Sequence, residues 1–457
     1  MEFRSIAIVI VTVFTSLNAR GEFFVAEGYR LDLVAEITPP RSPSSPTSGT
    51  SLALTTNALV TNTPNGLRKY DATSGDASLT YTPPTPTRNV WGGELVGVTG
   101  IAADTDYTLV GGTTLQLVNG RLGLANVYDT ETGEHLRTLY SDETFSSDPY
   151  LQAVAHDGQY AVVSLYGQGV YVFNIETGEQ IAQLEGVREG NGVFGVSVAI
   201  DNGVVVVGSP NEFAAQEGGP RGAVYTFDAS TGAMINRWTS PSNATNGFGV
   251  AVAADDGIAI VGNDRHYAGR LFYTSNTGTN TSGPDPNYAG DLEDDDYDPG
   301  DDPGVPPAGL VYALDLHTGA ILSTLSSSAH PHAGEYWVTE FGFTLRMSGH
   351  LALVSKWDFD GDGVAEGTPV SVYDVRNGNL IASLEEEYMG GVALDGNRFA
   401  ALQAYRTDQG VPVIKVFAIV PEPSTGLLAT VCVWFAVARR KRRWGEETKI
   451  SNGALPN

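Results

Sequence analysis

The sequence predicts an all-β fold: a seven-bladed β-propeller of four-stranded antiparallel blades, closed by an N-terminal strand. The main observation is a recurring phrase in which a β-rich run, an acidic or amide residue, Thr-Gly or a near match, and a second β-rich run follow one another. Copies occur at Lys69–Leu79, Val127–Leu139, Val170–Leu184, Val224–Ile235, Val311–Leu325 and Val372–Leu384, with half a copy at Val413–Ile419. Because fixed repetition determines architecture, seven copies predict seven structural units.

Five of the units also contain a signal for a tight hairpin ahead of the phrase. Apolar runs flank Asp201–Gly203, Asp256–Gly257, Ser348–Gly349, Asp157–Gly158 and Asp395–Gly396. Such residues tolerate the positive φ of tight hairpin turns. The Thr-Gly phrase supplies a second turn, between a third and a fourth strand. Four antiparallel strands per unit are the blade of a propeller.

Closure of the ring is predicted from the last copy, which ends at its third strand before Pro421. A missing fourth strand would leave an exposed sheet edge. The segment Tyr29–Ile37 partly alternates in polarity and has no blade of its own, so we expect it to fill that place. Residues 20–50 then form the closing strand and a Pro/Ser linker, and 51–420 the propeller. The alternative is a disordered leader and an open ring.

Composition restricts the class of partner. The chain has 457 residues with 26 Lys+Arg and 53 Asp+Glu, a formal net charge of -27. Nucleic acid is not expected as a partner, because its phosphates require Lys and Arg. Cys432 is the only cysteine, which excludes an intrachain disulfide. A secreted chain of this kind must be stabilised by its core, its β-ladders or a bound metal.

The first 19 residues have the pattern of a secretory signal peptide. Arg4 provides the positive region, Ile6–Phe14 the apolar region, and Leu17–Ala19 ends in the small residue that cleavage requires. The apolar run is too short to span a bilayer. An uncleaved anchor is the alternative interpretation of these residues.

The C-terminal end carries a second targeting pattern at 421–443. Pro421, Glu422 and Pro423 precede a mostly apolar run, Gly426–Ala438, which is followed by Arg439–Arg443. This pattern predicts a short transmembrane-like helix that contacts the membrane at least transiently. The basic cluster is expected to stay cytoplasmic. A polar tail, 444–457, follows.

This order of motif, apolar run and basic cluster resembles the PEP-CTERM sorting signal of Gram-negative bacteria. The resemblance implies recognition by an exosortase-type sorting enzyme and delivery to a cell envelope rich in exopolysaccharide. The tail Trp444–Asn457 departs from the pattern, because such signals usually end soon after the basic cluster. A plain C-terminal membrane anchor is the alternative.

The blades resemble the FG-GAP repeats of integrin α-subunits and bacterial surface proteins. Phe194-Gly195 with Gly208-Ser209-Pro210 matches best, and Phe248-Gly249 and Phe341-Gly342 match in part. The phrase at Tyr312–Gly319 also resembles the repeat of pyrroloquinoline-quinone enzymes. The chain lacks evident forms of two features common in those enzymes, the Trp docking motifs and the vicinal disulfide.

The sharpest local motif is a predicted calcium loop. Asp358, Asp360 and Asp362 supply oxygen at positions one, three and five, Val364 a carbonyl at position seven, and Glu366 a carboxylate at position nine. The FG-GAP resemblance implies such loops, although position nine there is commonly Asp. We expect one calcium ion with a structural role. The alternative is an ordinary acidic turn.

An acidic insertion, 264–308, interrupts one blade between its second and third strands. Its length, acidity and Pro/Gly content are typical of a functional or disordered loop. Second-to-third connections emerge on one face of a propeller, so the insertion and the calcium loop should share a face in adjacent blades. We expect that face to be a cation-dependent contact surface, with a solvated loop as the alternative. His330 and His332 lack the further ligands of a zinc site.

No catalytic motif is found, since nucleophile-elbow, Walker and Rossmann patterns are absent from the sequence. We therefore expect no enzyme activity, but an exported, calcium-stabilised module that binds or scaffolds at the outer cell surface. Exopolysaccharide or another surface protein is the expected partner. The alternatives are a propeller enzyme, either quinone-dependent dehydrogenase-like or polysaccharide-active, and a purely structural matrix component. Fold alone does not decide among them.

Overall fold

The computed structural model describes most of the region between residues 23 and 422. The described residues are 23–40, 51–63, 66–81, 98–112, 117–118, 121–141, 151–165, 167–187, 194–210, 212, 222–241, 247–263, 310–326, 338–359, 365–367, 370–384, 388–403 and 413–422. They contain β-strands, turns and bends and no helix. In this part of the chain no helix could cross a membrane. The predicted signal peptide, the insertion 264–308 and the predicted C-terminal helix lie outside the described residues.

Two N-terminal strands, β1 (Phe23–Val25) and β2 (Tyr29–Ile37), precede the blades. Blade 1 consists of β3 (Leu52–Leu54), β4 (Ala58–Thr63), β5 (Gly66–Asp71) and β6 (Ala77–Thr80). Blade 2 consists of β7 (Val98–Ala103), β8 (Tyr107–Gly112), β9 (Leu117–Val118), β10 (Arg121–Asp129) and β11 (His135–Tyr140). Blade 3 consists of β12 (Leu151–His156), β13 (Tyr160–Leu165), β14 (Gly169–Asn174) and β15 (Gln180–Leu184).

Blade 4 consists of β16 (Ser197–Asp201), β17 (Val204–Ser209), β18 (Ala223–Asp228) and β19 (Met234–Thr239). Blade 5 consists of β20 (Phe248–Asp255), β21 (Ile258–Asn263), β22 (Leu310–Asp315) and β23 (Ile321–Ser326). Blade 6 consists of β24 (Val338–Ser348), β25 (Leu351–Phe359), β26 (Ala365–Gly367), β27 (Val370–Asp374) and β28 (Asn379–Leu384). Blade 7 contains β29 (Tyr388–Asp395), β30 (Arg398–Gln403) and β31 (Val413–Pro421).

The ring is closed by the N-terminal strand, as predicted. Strand β2 pairs antiparallel with β31 as the fourth strand of blade 7, from Tyr29 opposite Pro421 to Ile37 opposite Ile414. Strand β1 was not predicted. It pairs with β28 and adds a further strand to the outer edge of blade 6. The N-terminal segment therefore joins blades 6 and 7.

The hydrophobic core is divided among the blade boundaries. Seven clusters of buried side chains are present in the described part of the chain, and each contains residues of two neighbouring blades. Between blades 3 and 4, for example, Val172 meets Val205 and Tyr225, all fully buried. Complete burial of one such side chain contributes about 1.5–3 kcal/mol. No blade has a core independent of its neighbours.

The recurring phrase forms one turn six times. An Asp or Asn ends the third strand, and its side-chain oxygen accepts the backbone N–H two or three residues later, as Asp315 Oδ1 does from Thr318 at 2.7 Å. The glycine N–H then donates to the carbonyl of the same Asp, as Gly319 does at 2.8 Å. The six Asp or Asn residues are Asp71, Asp129, Asn174, Asp228, Asp315 and Asp374. The predicted turn between third and fourth strands is confirmed.

The glycine of this turn also packs against the preceding blade. In blade 4, Gly232 has a φ of 70°, and a Cβ placed there would lie 2.6 Å from Ala182 Cβ in blade 3. The glycines of the other five copies meet the outermost strand of the preceding blade in a similar way, with the nearest atoms at 2.3 to 3.4 Å. At Gly232 a side chain would therefore overlap the preceding blade.

The turns between strands one and two lie on the same face as the Thr-Gly turns. In all seven blades the residue that follows the Asp or its equivalent donates its N–H to a carbonyl of the first turn, as Ala229 does to Gly203 at 2.8 Å. We call this the turn face. Connections between strands two and three emerge on the opposite side, the loop face.

We expect Gly232→Ala to destabilise the protein more than Gly257→Ala. Gly257 has a φ of 75°, but no atom lies within 4 Å of the place that a Cβ would take there, so its alanine variant reports backbone strain alone. That strain costs about 1–2 kcal/mol. Gly232→Ala adds overpacking against blade 3, typically ~1–3 kcal/mol. Chemical denaturation of both variants measures the difference, and equal losses would argue against the close blade contact.

Candidate functional site

The predicted calcium loop lies on the loop face of blade 6, between its second and third strands. Asp358 is in β25 and Glu366 in β26, and these strands form a hairpin in which Asp358 is opposite Gly367. The first and ninth positions of the loop therefore lie close together along the hairpin. Asp360, Asp362 and Val364 lie outside the described residues. Among the described residues no group of three metal-ligating side chains is found.

The acidic insertion begins after β21 and ends before β22, so it belongs to blade 5. Blades 5 and 6 are neighbours, because β20 and β21 contact β24. The insertion and the calcium loop thus connect strands two and three of adjacent blades, as expected from the sequence. The insertion itself lies outside the described residues.

A ring of side-chain acceptors joins the blades at the turn face. It consists of Asp104, Asp157, Asp201, Asp255, Ser348 and Asp395, the last residue of the first strand or the residue just after it in blades 2 to 7. We call it the acceptor ring. Each member contacts the first turn of the next blade or, at Asp104, the adjoining strand end. The boundary between blades 1 and 2 has Thr55 at the corresponding position.

Three of the six members of the acceptor ring are carboxylates that receive a backbone N–H group of the next blade. Gly203 donates to Asp157 Oδ2 at 2.8 Å, and Gly257 donates to Asp201 Oδ2 at 2.8 Å. Gly349 donates to Asp255 Oδ2 at 2.7 Å. The remaining contacts are Gly396 N to Ser348 Oγ at 2.8 Å and Thr56 Oγ1 to Asp395 Oδ2 at 3.1 Å. Charge-assisted bonds of this kind are stronger than neutral ones.

Asp395 is the one described carboxyl group with a raised pKa. Burial is the main cause, and the negative charge of Asp255 adds to it, while the hydrogen bond from Thr56 acts in the opposite direction. Carboxyl groups with raised pKa values are candidates for general acids. Asp395 is also a member of the acceptor ring, so its hydrogen bond to Thr56 gives it a structural role.

Between blades 2 and 3 the ring member Asp104 lies beside His156, whose Nδ1 accepts the Gly158 N–H at 3.3 Å. Its Nδ1 lies 3.5 Å from Asp104 Oδ2, and its side chain is only 2% exposed. Burial lowers the pKa of the imidazole, although Asp104 and Asp157 favour its protonated form. Its Nε2 is buried and has no hydrogen-bond partner in the described part of the chain. The sequence analysis did not single out this residue.

A second unpredicted group lies at the loop face of blade 4. Glu212 is 3% exposed and accepts a hydrogen bond from the Tyr225 hydroxyl at 2.5 Å. Arg237 forms a salt bridge with the same carboxylate, and its Nε–Oε1 distance is 2.8 Å. Burial and the Glu212 hydrogen bond both raise the pKa of Tyr225, burial more strongly. Because the buried Glu212 carboxylate is paired with Arg237, it anchors the connection between β17 and β18.

The predicted sorting motif begins in the strand that closes the ring. Pro421 is the last residue of β31, opposite Tyr29, and the Glu422 N–H donates to the Gly28 carbonyl at 2.8 Å. Both residues are exposed. Pro423 lies outside the described residues. The motif therefore starts at the end of the third strand of blade 7, beside the beginning of β2.

We expect Asp201→Ala to lower the free energy of unfolding by about 1–3 kcal/mol, because the Gly257 N–H loses its charged acceptor. Asp201→Ser should recover part of the loss, since blade 6 uses Ser348 in this role. Asp76→Ala is the control, because this exposed carboxylate forms no hydrogen bond or salt bridge in the described part of the chain. Urea unfolding compares the three, and equal stability of Asp201→Ala and Asp76→Ala would contradict the role of the ring.

The Thr-Gly turns predict a loss of stability in acid. The Thr318 hydroxyl and N–H lower the pKa of Asp315 from its ordinary value of 3.8, and donors of their own turns likewise lower the pKa values of Asp71, Asp129 and Asp228. The Arg376 side chain is the main cause of the lowered pKa of Asp374. A carboxyl group whose pKa is lower in the folded state stabilises the fold above its unfolded pKa. That contribution is lost as the pH falls from about 5 through the folded values.

Asp315→Asn should reduce the slope of unfolding free energy against pH between about 5 and 3. Asn174 is the natural precedent, because its Oδ1 accepts the Thr177 N–H at 2.8 Å without a charge. Urea unfolding at a series of pH values measures the slope. An Asp315→Asn slope identical to that of the unaltered protein would exclude Asp315 as a contributor.

Comparison with known proteins adds a limited finding. No protein-family model and no curated protein matches the chain. Among solved structures, the computationally designed Ika8 protein matches with a TM-score of 0.45 and 15% sequence identity, over 84% of this chain and 98% of the designed chain. The seven-bladed architecture therefore follows from this chain's own strand pairing.

Proposed function

We propose that this chain is an exported, calcium-stabilised β-propeller that acts as a non-catalytic binding or scaffolding module at the cell envelope. An exosortase-type enzyme would sort it through Pro421, Glu422 and Pro423. The calcium ion would be held at Asp358, Asp360, Asp362, Val364 and Glu366, on the loop face of blade 6. Exopolysaccharide or another surface protein would bind to the propeller.

The observation that carries the calcium proposal is the hairpin of β25 and β26. Calcium loops require their first and last ligands to return to one ion, and this hairpin brings the strand positions of Asp358 and Glu366 together. Alternate carboxylates between those positions fit a hard cation that takes several oxygen ligands. The position in a connection that leaves the blade fits a structural ion rather than an ion in a catalytic funnel.

A binding role is supported by the use that the structure makes of its described carboxylates. Those of the acceptor ring receive hydrogen bonds from neighbouring blades, and those of the Thr-Gly turns receive them from their own turns. Glu212 is paired with Arg237. These carboxylates already have hydrogen-bond or salt-bridge partners within the protein, whereas general acid–base catalysis needs carboxyl groups positioned toward a substrate.

Calcium should raise the melting temperature of the protein, and a chelator should reverse the increase. A ligand that binds only the folded state stabilises by about 2.7 kcal/mol at a hundredfold excess over its Kd. Asp360→Ala should abolish the calcium-dependent increase, and Asp76→Ala, with its exposed carboxylate in blade 1, should retain it. Thermal melts with calcium and with chelator test this. A calcium response retained in Asp360→Ala would place the ion elsewhere, and no response in the unaltered protein would exclude a stabilising ion.

The binding role is tested on the full chain with a glycan array, in calcium and in chelator. Binding that depends on calcium and is lost in Asp360→Ala supports the proposal, whereas an array without hits favours a structural matrix component. A spectral titration with pyrroloquinoline quinone covers the enzyme alternative, because saturable binding of that cofactor would favour a dehydrogenase. Export is tested separately, by fractionating cells that express the chain with and without substitution of Pro421 and Glu422.

A further inference from the structure

An arginine occupies a position that is alanine in every other blade. The residue two places before the acceptor-ring member is Arg346 in blade 6. The corresponding residues are alanines in blades 2, 3, 4, 5 and 7, namely Ala102, Ala155, Ala199, Ala253 and Ala393. Blade 1 has Ala53 at the same distance from Thr55. The seven first strands thus form a layer of six small side chains and one long cation.

Arg346 lies on the innermost strand of blade 6, which borders the central channel of the ring. Strand β24 is the first strand of its blade and contacts the first strands of blades 5 and 7, β20 and β29. Its neighbour Leu345 is 1% exposed and packs in the core between blades 5 and 6. Arg346 itself is exposed. Most of the corresponding alanines are buried between blades, so the exposed Arg346 differs from them in exposure as well as in length and charge.

No carboxylate of the described residues forms a salt bridge with Arg346. One guanidinium nitrogen, Nη1, donates to the Leu345 carbonyl at 2.8 Å. The surrounding protein lowers the pKa of the guanidinium by desolvation, and no neighbouring charge offsets that effect. Nearby members of the acceptor ring turn their oxygens toward turn N–H and hydroxyl groups instead, as Asp255 does toward Gly349 and Asp395 toward Thr56. A cation without a carboxylate partner among the described residues is unexpected in a chain with a net charge of -27.

We propose that the central channel contains an oxyanion site at Arg346, which binds a carboxylate or phosphate group of a small ligand. The planar guanidinium presents paired donors that match both groups, and its charge is more effective in a partly desolvated channel than at the surface. An acidic sugar and free inorganic phosphate are two sources of this chemistry. This site does not depend on calcium binding or on export.

The acceptor ring influences the side from which the ligand enters. Ser348 is two residues beyond Arg346 toward the turn face, a distance of about 7 Å along the strand. Asp255 and Asp395 flank that level in blades 5 and 7, and their negative charges repel an anion that approaches from the turn face. The acceptor ring therefore disfavours entry of an anion from the turn face.

Isothermal titration of the full chain tests the site with galacturonate, galactose and inorganic phosphate. Galactose is the matched neutral ligand, because it has a hydroxymethyl group where galacturonate has a carboxylate. We expect galacturonate to bind and galactose not to bind. Binding of phosphate without galacturonate assigns the site to free phosphate and equally supports an oxyanion site. The absence of binding by either anion overturns the proposal.

Arg346→Ala restores the residue found in the other six blades, so the variant should fold and melt like the unaltered protein. It should bind the anion at least about tenfold more weakly, the loss expected for a charged hydrogen-bond donor. Arg346→Lys keeps the charge without the planar fork and should bind with intermediate affinity. Arg30→Ala, which removes an exposed cation of the same charge from β2, should bind like the unaltered protein.

Equal anion affinity of Arg346→Ala and the unaltered protein would overturn the assignment to Arg346. If Arg346→Ala fails to fold, Arg346→Met retains most of the side-chain volume in the channel and serves the same purpose. Loss of anion binding in folded Arg346→Met then supports the site. Retained binding in that variant overturns it.

Discussion

Packing between neighbouring blades is the interaction on which the rest of the structure depends. A four-stranded sheet buries little apolar surface alone, and each of the seven buried clusters contains side chains from two blades. The stability of one blade is therefore inseparable from that of the next. In this respect the ring resembles repeat proteins, whose energetics are dominated by nearest-neighbour interfaces. Unlike an open array, it has no terminal unit that would need a polar cap.

The polar groups of the turn face fix the spacing that this packing requires. Gly232 allows the backbone of one blade to touch Ala182 of the previous blade, and Asp201 binds a turn N–H of the following blade. The contact at Gly232 leaves no room for a side chain at that residue, and the hydrogen bond of Asp201 is directional. Together they set both the distance and the angle between adjacent sheets. Acidic composition follows in part from this arrangement, because a carboxylate is a strong acceptor for backbone N–H groups.

The blades could be predicted because their turn chemistry is local. Asp315 and Gly319 form their turn with residues of the same short segment, so the phrase alone indicates it. The closing strand followed from a missing fourth strand in blade 7. Strand β1 could not be predicted, since Phe23–Val25 is short and lacks a turn signal.

The contacts that create the candidate sites are tertiary and leave little trace in the sequence. Asp201 has the pattern of an ordinary turn residue, although its partner Gly257 is in the next blade. Arg346 has the pattern of a solvent-facing residue in an alternating strand, and only the ring topology places its strand at the centre of the propeller. The calcium loop stays a prediction from its spacing, and the structure adds only that β25 and β26 place Asp358 and Glu366 in one hairpin.

Ring closure by β2 has a consequence for the order of folding. Tyr29 and Pro421 pair at nearly opposite ends of the chain, so this contact has one of the largest sequence separations in the protein. Contacts of this kind form slowly, because a long loop must close first. During synthesis from the N-terminus, β2 therefore stays unpaired until β31 has been made. Ring closure is for this reason the folding step most exposed to misassembly.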